Sequence, residues 1–198
     1  TIIYRKDRPY KIFETSHDSS FHYTGKKFFP DKFLFCSDNQ LINFKELSIP
    51  SCVIEYPIEN PKINKSESFN TLKLEKDVKH VVNVGLFTPR KNQAEIFEYA
   101  KILRDFPIKF HFVGNTAPNF QQYWEPLLEN KPDNCVVWGE RSDVGNFYSA
   151  MDLFLFSSRG HSGDKETNPL VIKEALSYNM KSLIHRIDTY LDKFDDKL

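Results

Sequence analysis

Five short apolar runs, alternating with helical patterns, constrain the fold of this 198-residue chain more than any other feature. The runs are HVVNVGLF (80–87), IKFHFVG (108–114), CVVWG (135–139), DLFLFSS (152–158) and KSLIHRI (181–187). Most are continuous and rich in Val, Ile, Leu and Phe, as strands buried on both faces of a parallel sheet must be. Between them lie 92–106, 119–130, 143–151 and 168–179. In the first of these, Ile96, Tyr99, Ala100 and Leu103 recur at helical spacing and form one apolar stripe. Asn92 followed by Glu95 predicts the helix start as a variant of the capping box. Strand–helix units in succession predict an α/β fold, a Rossmann-like parallel sheet flanked by helices with right-handed crossovers.

The first third predicts a smaller, partial α/β piece, with strands at 10–17, 31–37 and 51–58 and a helix near 38–47. Residues 59–77 are polar, charged and without periodicity, which is a linker composition. The expected division is therefore 1–58, a linker at 59–77, and 78–198.

Composition excludes several function classes. Lys and Arg balance Asp and Glu at 27 each, so the basic excess of a nucleic-acid or membrane-surface binder is missing. No stretch approaches the roughly 18 apolar residues of a membrane span. Cys36, Cys52 and Cys135 are odd in number and set in apolar runs, and read as buried thiols of a reducing compartment. The expectation is a soluble cytoplasmic protein that binds no nucleic acid. Cys and His show no metal-ligand spacing, and there is no G-x-S-x-G elbow, Walker A loop or G-x-G-x-x-G fingerprint.

Ligands of open parallel sheets bind beyond the carboxyl ends of the strands. Arg90-Lys91 follows the first strand of the larger unit, Glu140-Arg141 the third, and a long segment from Arg159 to Thr167 the fourth. Asn168 suits an N-cap and Pro169 the first helical position. A helix start with its unpaired N–H groups is a ready anion site, and Gly160 and Gly163 would let backbone approach a ligand. Glu174 falls about 9 Å along the helix from the cap. A ligand with an anionic centre at the cap thus meets Glu166 on one side and Glu174 on the other, the layout of a nucleoside diphosphate sugar. Arg90 and Lys91 face the same crevice and suit a diphosphate.

Glu166, seven intervening residues and Glu174, within ETNPLVIKEAL directly after DLFLFSS, resemble the motif of retaining glycosyltransferases of the GT-B fold, family 4 in particular. VGLFTPRKNQ resembles that family's first strand and phosphate-binding loop. FHFVG and VVWGERSDVGNFYSAMDLFLFSS resemble its later strands in order, so that the resemblance covers about 78–190. It implies a metal-independent hexosyltransferase of polysaccharide biosynthesis with no cofactor besides its UDP- or GDP-sugar donor. Its partners would be the nucleotide sugar and a glycan or lipid-linked acceptor, with peripheral membrane association through regions outside this chain. Glu166 would contact the transferred sugar and Glu174 the ribose hydroxyls. Arg90 and Lys91 would bind the diphosphate, assisted by backbone at Thr167 and Asn168, and backbone at Gly139, Glu140 and Arg141 would hold the base. YKIFETSHD resembles a segment of the family's N-terminal domain, which maps a cleft-lining histidine to His17. Residues 1–58 would then be part of an acceptor-side domain and 78–198 the donor-binding domain.

The chain departs from the family in having Leu86 after Gly85, and Thr167-Asn168-Pro169 after the first glutamate. Its length suggests a fragment or truncated member. The alternatives are a nucleotide-sugar-binding module without turnover and, further off, a sugar-nucleotide epimerase. His111 and His185 read as satisfied core histidines, Tyr123 and Trp124 as helix packing, and His161 as solvent-facing. His17 beside Asp18 reads equally as a structural pair.

Overall fold

The computed structural model describes residues 5–18, 22–59, 61–62, 64–159 and 166–185. Gly160, His161 and Gly163 lie outside the described residues.

Every apolar run of the larger unit is a strand. These are β4 (Lys79–Val84), β5 (Ile108–Val113), β6 (Cys135–Gly139), β7 (Leu153–Phe156) and β8 (Ser182–Ile184), preceded by β1 (Phe13–Ser16), β2 (Lys32–Phe35) and β3 (Ser51–Val53). The helices are α1 (Asp38–Ile42), α2 (Lys65–Thr71), α3 (Gln93–Ile102), α4 (Gln121–Glu129), α5 (Val144–Ala150) and α6 (Leu170–Ser177). A five-stranded parallel sheet runs β6-β5-β4-β7-β8, and a three-stranded parallel sheet runs β1-β2-β3.

The alternation of side chains along a strand divides the larger core in two. Val82, Val84, Phe154 and Phe156 join Leu72, Phe147, Tyr148 and Ile172 on the face covered by α2, α5 and α6. Val81, Phe110, Phe112 and Leu155 join Ile96, Phe97 and Ala100 on the face covered by α3 and α4. Burying an aromatic ring here is worth about 2–3 kcal/mol, so the phenylalanines carry much of the driving force. The smaller sheet packs Phe33 and Phe35 on Phe44, with the Phe35 and Phe44 ring centroids 4.6 Å apart.

Two local readings need correction. Residues 65–71, inside the stretch read as a linker, form α2. Its Phe69 and the following Leu72 pack on the large core, and Ser68 Oγ donates to Asn146 Oδ1 at 3.0 Å. Helix α3 does start after Asn92, but Asn92 sits in the left-handed region at φ 54° and makes no side-chain cap bond to the backbone. The Tyr123 hydroxyl accepts from Ala94 N–H at 3.1 Å instead, so a tyrosine of α4 serves the start of α3. Trp124 packs on the α3 face and donates to the Ala117 carbonyl at 2.9 Å, as a packing residue does.

His111 is indeed buried and satisfied, and its partner is His80, equally buried. Trp138 Nε1 donates to His111 Nδ1 at 3.1 Å, so the neutral His111 carries its proton on Nε2. Nε2 faces His80 Nδ1 at 2.9 Å, and His80 Nε2 in turn meets the Glu75 carbonyl at 2.9 Å. Each donor in this chain finds one acceptor. Burial, with the neighbouring His80 and Lys109, pushes His111 from 6.5 down to about 3. The unfolded chain therefore binds a proton near pH 6.5 that the folded chain refuses, and stability is lost as pH falls from 6.5 toward 3. Chemical denaturation at pH 7.5, 6 and 5 should show a decline approaching about 1.4 kcal/mol per pH unit below 6. His111→Gln, which can accept from Trp138 and donate to His80 without titrating, should flatten that slope.

Candidate functional site

The strand order sets the place of the site. The chain runs β4, β5, β6 to one side and then returns to β7 and β8 on the other side of β4. The switch point of this doubly wound sheet lies between β4 and β7, where ligands of such sheets bind. The ladder between these strands pairs Val81 with Leu153 and Val82 with Phe154. One step further, the Asn83 side chain reaches across to the Leu155 carbonyl at 2.9 Å.

Glycines line the rim. Gly85, Gly114 and Gly139 follow or end β4, β5 and β6, and Gly114 N–H donates to the Gly139 carbonyl at 2.8 Å. Gly114 has φ 145°, and a Cβ there would stand 2.1 Å from the Gly85 carbonyl oxygen. Only glycine permits that approach.

Beyond the rim, the turn after β4 and the segment after β7 interlock. Ser157 Oγ donates to the Lys91 carbonyl at 2.7 Å, and Ser158 Oγ lies 3.0 Å from both the Arg90 carbonyl and Glu166 Oε1. Lys91 Nζ is 2.7 Å from Glu166 Oε1 and Arg90 Nε is 3.6 Å from it. Glu166 is only 6% exposed. The lysine ammonium also lies 5.1 Å from the Phe156 ring centroid, a cation–π distance. Glu166 and the Arg90-Lys91 pair, far apart in sequence, thus meet in one charged cluster.

The next residues frame this cluster. Helix α6 begins at Leu170 with Pro169 at its cap, one residue later than the sequence suggested, and Pro169 makes no side-chain cap bond. The N–H groups of Leu170 and Val171 therefore have no intrahelical carbonyl ahead of them. Asn168 does not cap. Its side-chain amide donates to the Cys36 carbonyl at 2.9 Å, just past β2. Lys173 of α6 pairs with Glu55, just past β3, at 3.1 Å. The carboxyl end of the smaller sheet is thereby held against the start of α6. Thr167 is half-buried between Glu166 and this contact.

Glu174 stands one turn further along α6 and accepts from the buried Tyr148 hydroxyl at 3.0 Å. Burial and the adjacent Glu174 carboxylate raise the Tyr148 phenol above its ordinary range, so it stays a donor. At the end of β6, Gly139 takes φ 69°, Glu140 is exposed and Arg141 turns away to Asp143. The Arg141–Asp143 pair is bidentate, 2.7 Å on both arms, and Asp143 holds the guanidinium beside the Trp138 ring.

His17 is exposed, just past β1. Its ring stacks on Tyr56 at 5.6 Å between centroids, and the Tyr56 hydroxyl contacts Nδ1. Its partner is thus Tyr56 and not Asp18. Ser16, its neighbour, accepts from Cys36 Sγ at 3.5 Å, which places His17 two short contacts from Asn168. His185 is not a core histidine. It is half-buried and lies 3.1 Å from Glu95 Oε2. Tyr148, Ser157 and Ser158 were not singled out in the sequence. Only the SS pair closing DLFLFSS hinted at the last two.

Among the described residues no cluster of His, Cys, Asp or Glu is placed to hold a metal ion, and no helix is long and apolar enough to cross a membrane. Cys36 and Cys135 are buried thiols, and Cys52 is half-buried.

A buried carboxylate deprived of its counter-ion is costly, by about 3–5 kcal/mol. Lys91→Met should lower stability by about 3 kcal/mol in a denaturation series. The double variant Lys91→Met/Glu166→Gln should recover most of that loss, since neither charge is then stranded.

The sequence matches the family described as glycosyl transferases group 1 over residues 64–196. Among solved structures, the fold superposes on Anabaena HepE in complex with UDP and glucose with a TM-score of 0.74 at 16% identity. That match covers 91% of this chain and 54% of the other. Sucrose-phosphate synthase from Thermosynechococcus elongatus gives 0.70 at 16%, over 94% and 53%. WaaG, a glycosyltransferase involved in lipopolysaccharide biosynthesis, gives 0.59 at 18%, over 83% and 46%. The chain spans about half the length of these three structures. No curated protein sequence matches it. With the family's motifs on the strands that carry them and a GT-B architecture around the switch point, the chain belongs to the group 1 glycosyl transferases.

Proposed function

We propose that this chain carries the donor site of a retaining glycosyltransferase that uses a nucleoside diphosphate sugar. The observation that supports this most is the packing of Arg90, Lys91 and Glu166 against one another at the β4–β7 switch point. Arg90, Lys91 and the start of α6 converge there, two cations and the positive end of a helix dipole, groups that suit a diphosphate.

In this reading the diphosphate binds to Arg90, Lys91 and the first amides of α6. Backbone at Thr167 and Asn168 assists, and the Asn168 side chain, bonded to the Cys36 carbonyl, holds that segment in place. A diphosphate competes with Glu166 for Lys91, and Glu166 is then released toward the sugar. Glu174 has one oxygen engaged by Tyr148, which orients the carboxylate toward the ribose hydroxyls. Gly139, Glu140 and Arg141 hold the base through their backbone, and His17 lines the sugar face without acting as a base.

The chemistry is electrostatic. The bond between the anomeric carbon and the diphosphate oxygen breaks with its electron pair on the diphosphate. The fixed cations and helix dipole stabilise that charge as it develops. An acceptor hydroxyl from a glycan or a lipid-linked sugar forms the new bond, and its proton passes to the departing phosphate.

Residues 1–58 are proposed as part of the acceptor-side unit and 78–198 as the donor-side unit, with α2 now assigned to the latter. HepE was solved with UDP and with UDP-glucose, which favours uridine for the first trial. The second reading, a binding module that does not transfer alone, draws on the chain spanning about half of its structural relatives.

Thermal unfolding against UDP, GDP, ADP and their sugars, with EDTA present, separates these readings. One nucleotide at 100 times its Kd should add about 2.7 kcal/mol, a clear rise in midpoint. Arg90→Ala and Glu174→Ala should abolish the rise. A rise without donor hydrolysis or transfer supports the module, and no rise with any nucleotide removes the donor site from the proposal. Tyr148→Phe should weaken nucleotide binding about 5- to 10-fold, the loss of a roughly 1 kcal/mol hydrogen bond that orients Glu174. Unchanged affinity would show that Glu174 needs no such support.

A further inference from the structure

Outside the cluster around Glu166, one carboxylate gathers several partners from distant elements, and the sequence marked it only as the partner of Asn92 at a helix start. Glu95 lies in the first turn of α3. Arg159 Nε and Nη2 donate to its two oxygens at 3.0 and 2.6 Å. His185 Nε2 lies 3.1 Å from Oε2, Asn92 Nδ2 donates to Oε2 at 2.6 Å, and the Tyr99 hydroxyl contacts Oε1. The Glu95 side chain is 12% exposed against 60% for Arg159.

The partners come from several elements. Asn92 closes the turn that carries Arg90 and Lys91, and its amide also reaches the Ser157 carbonyl at 3.4 Å. Arg159 follows Ser157 and Ser158, which grip the carbonyls of Lys91 and Arg90. His185 follows β8 directly. The carboxylate therefore ties α3 to the ends of β7 and β8 at the level where both halves of the ion cluster emerge.

We propose that Glu95 is a positioning residue of the donor site, holding the Arg90-Lys91 turn against the Ser157–Arg159 segment so that cations and Glu166 meet in register. The inference rests on the donor-site reading above. Although burial disfavours its charge, hydrogen bonds from Arg159, Tyr99 and His185 hold Glu95 down at about 2, so the clamp is charged across the working pH range. Neutral alternatives would keep only part of it. An arginine fork matched to both carboxylate oxygens has no equivalent in an amide.

The test is calorimetric titration of UDP, with GDP as a second probe, into the wild type, Glu95→Gln, Arg159→Gln and the double variant. It is run well below each unfolding midpoint and paired with hydrogen exchange of the ligand-free proteins. Glu95→Gln should weaken nucleotide binding about 10-fold. Arg159→Gln should do nearly the same, and the double variant should be no worse than the worse single one, because both remove one clamp. Exchange should rise at 88–92 and 157–159 without a matching rise in β4 or β5. A lower melting point with unchanged nucleotide affinity and unchanged exchange in those two segments would reduce Glu95 to a stability role and overturn the proposal. If the wild type binds neither nucleotide, the donor-site reading fails, and Glu95 falls with it as a positioning residue of that site. Raised exchange in Glu95→Gln would then show a clamp with no donor to serve.

Discussion

The Glu166–Lys91 ion pair, drawn out of water with Arg90 beside it, is the constraint around which the carboxyl edge of the large sheet is arranged. An isolated charge at that depth would be untenable, so both partners must arrive together. Their arrival depends on strand order. Lys91 follows β4 and Glu166 follows β7, and only a sheet that reverses direction at β4 makes those strands neighbours. The two serines ending the β7 run then bind the backbone of the cationic turn, fixing the carbonyls of Arg90 and Lys91 while their side chains engage the carboxylate. Fold and electrostatics are here the same fact seen at two scales.

The smaller sheet meets this edge through polar contacts. Asn168 and Lys173 reach the chain just beyond β2 and β3, and the intervening core of Phe33, Phe35 and Phe44 holds those strand ends in place. Both contacts come from the start of α6. A displacement of that helix start is therefore felt by Glu174, by the diphosphate end of the proposed donor site and by the loop that bears His17.

Much of this was legible in the chain before any coordinates. Parallel strands buried on both faces read as unbroken apolar runs, so HVVNVGLF and DLFLFSS announced β4 and β7, and the glutamate spacing placed Glu166 and Glu174 on either side of a helix start. What stayed hidden has physical causes. Helix α2 carries little apolar surface of its own, and Phe69 and Leu72 mean nothing until α5 is there to receive them. Asn92 has the composition of a cap but a left-handed backbone, and the bond it was expected to make is supplied by Tyr123. Asn168 looked like a cap and serves as a bridge, because Pro169 already ends the irregular stretch. Glu95 takes partners 64 and 90 positions away, a separation no local pattern encodes.

The three glycines at the strand ends have a further implication. With no side chain at Gly85, Gly114 or Gly139, the floor of the crevice is peptide backbone, and a methyl group at Gly114 would collide with the carbonyl of Gly85. A floor of that kind presents the same amides and carbonyls whatever the surrounding sequence becomes. Substitution at Gly114 breaks that floor rather than retuning it, so change among chains of this type has to accumulate in the segments beyond the strand ends. The core can stay still while the loops explore.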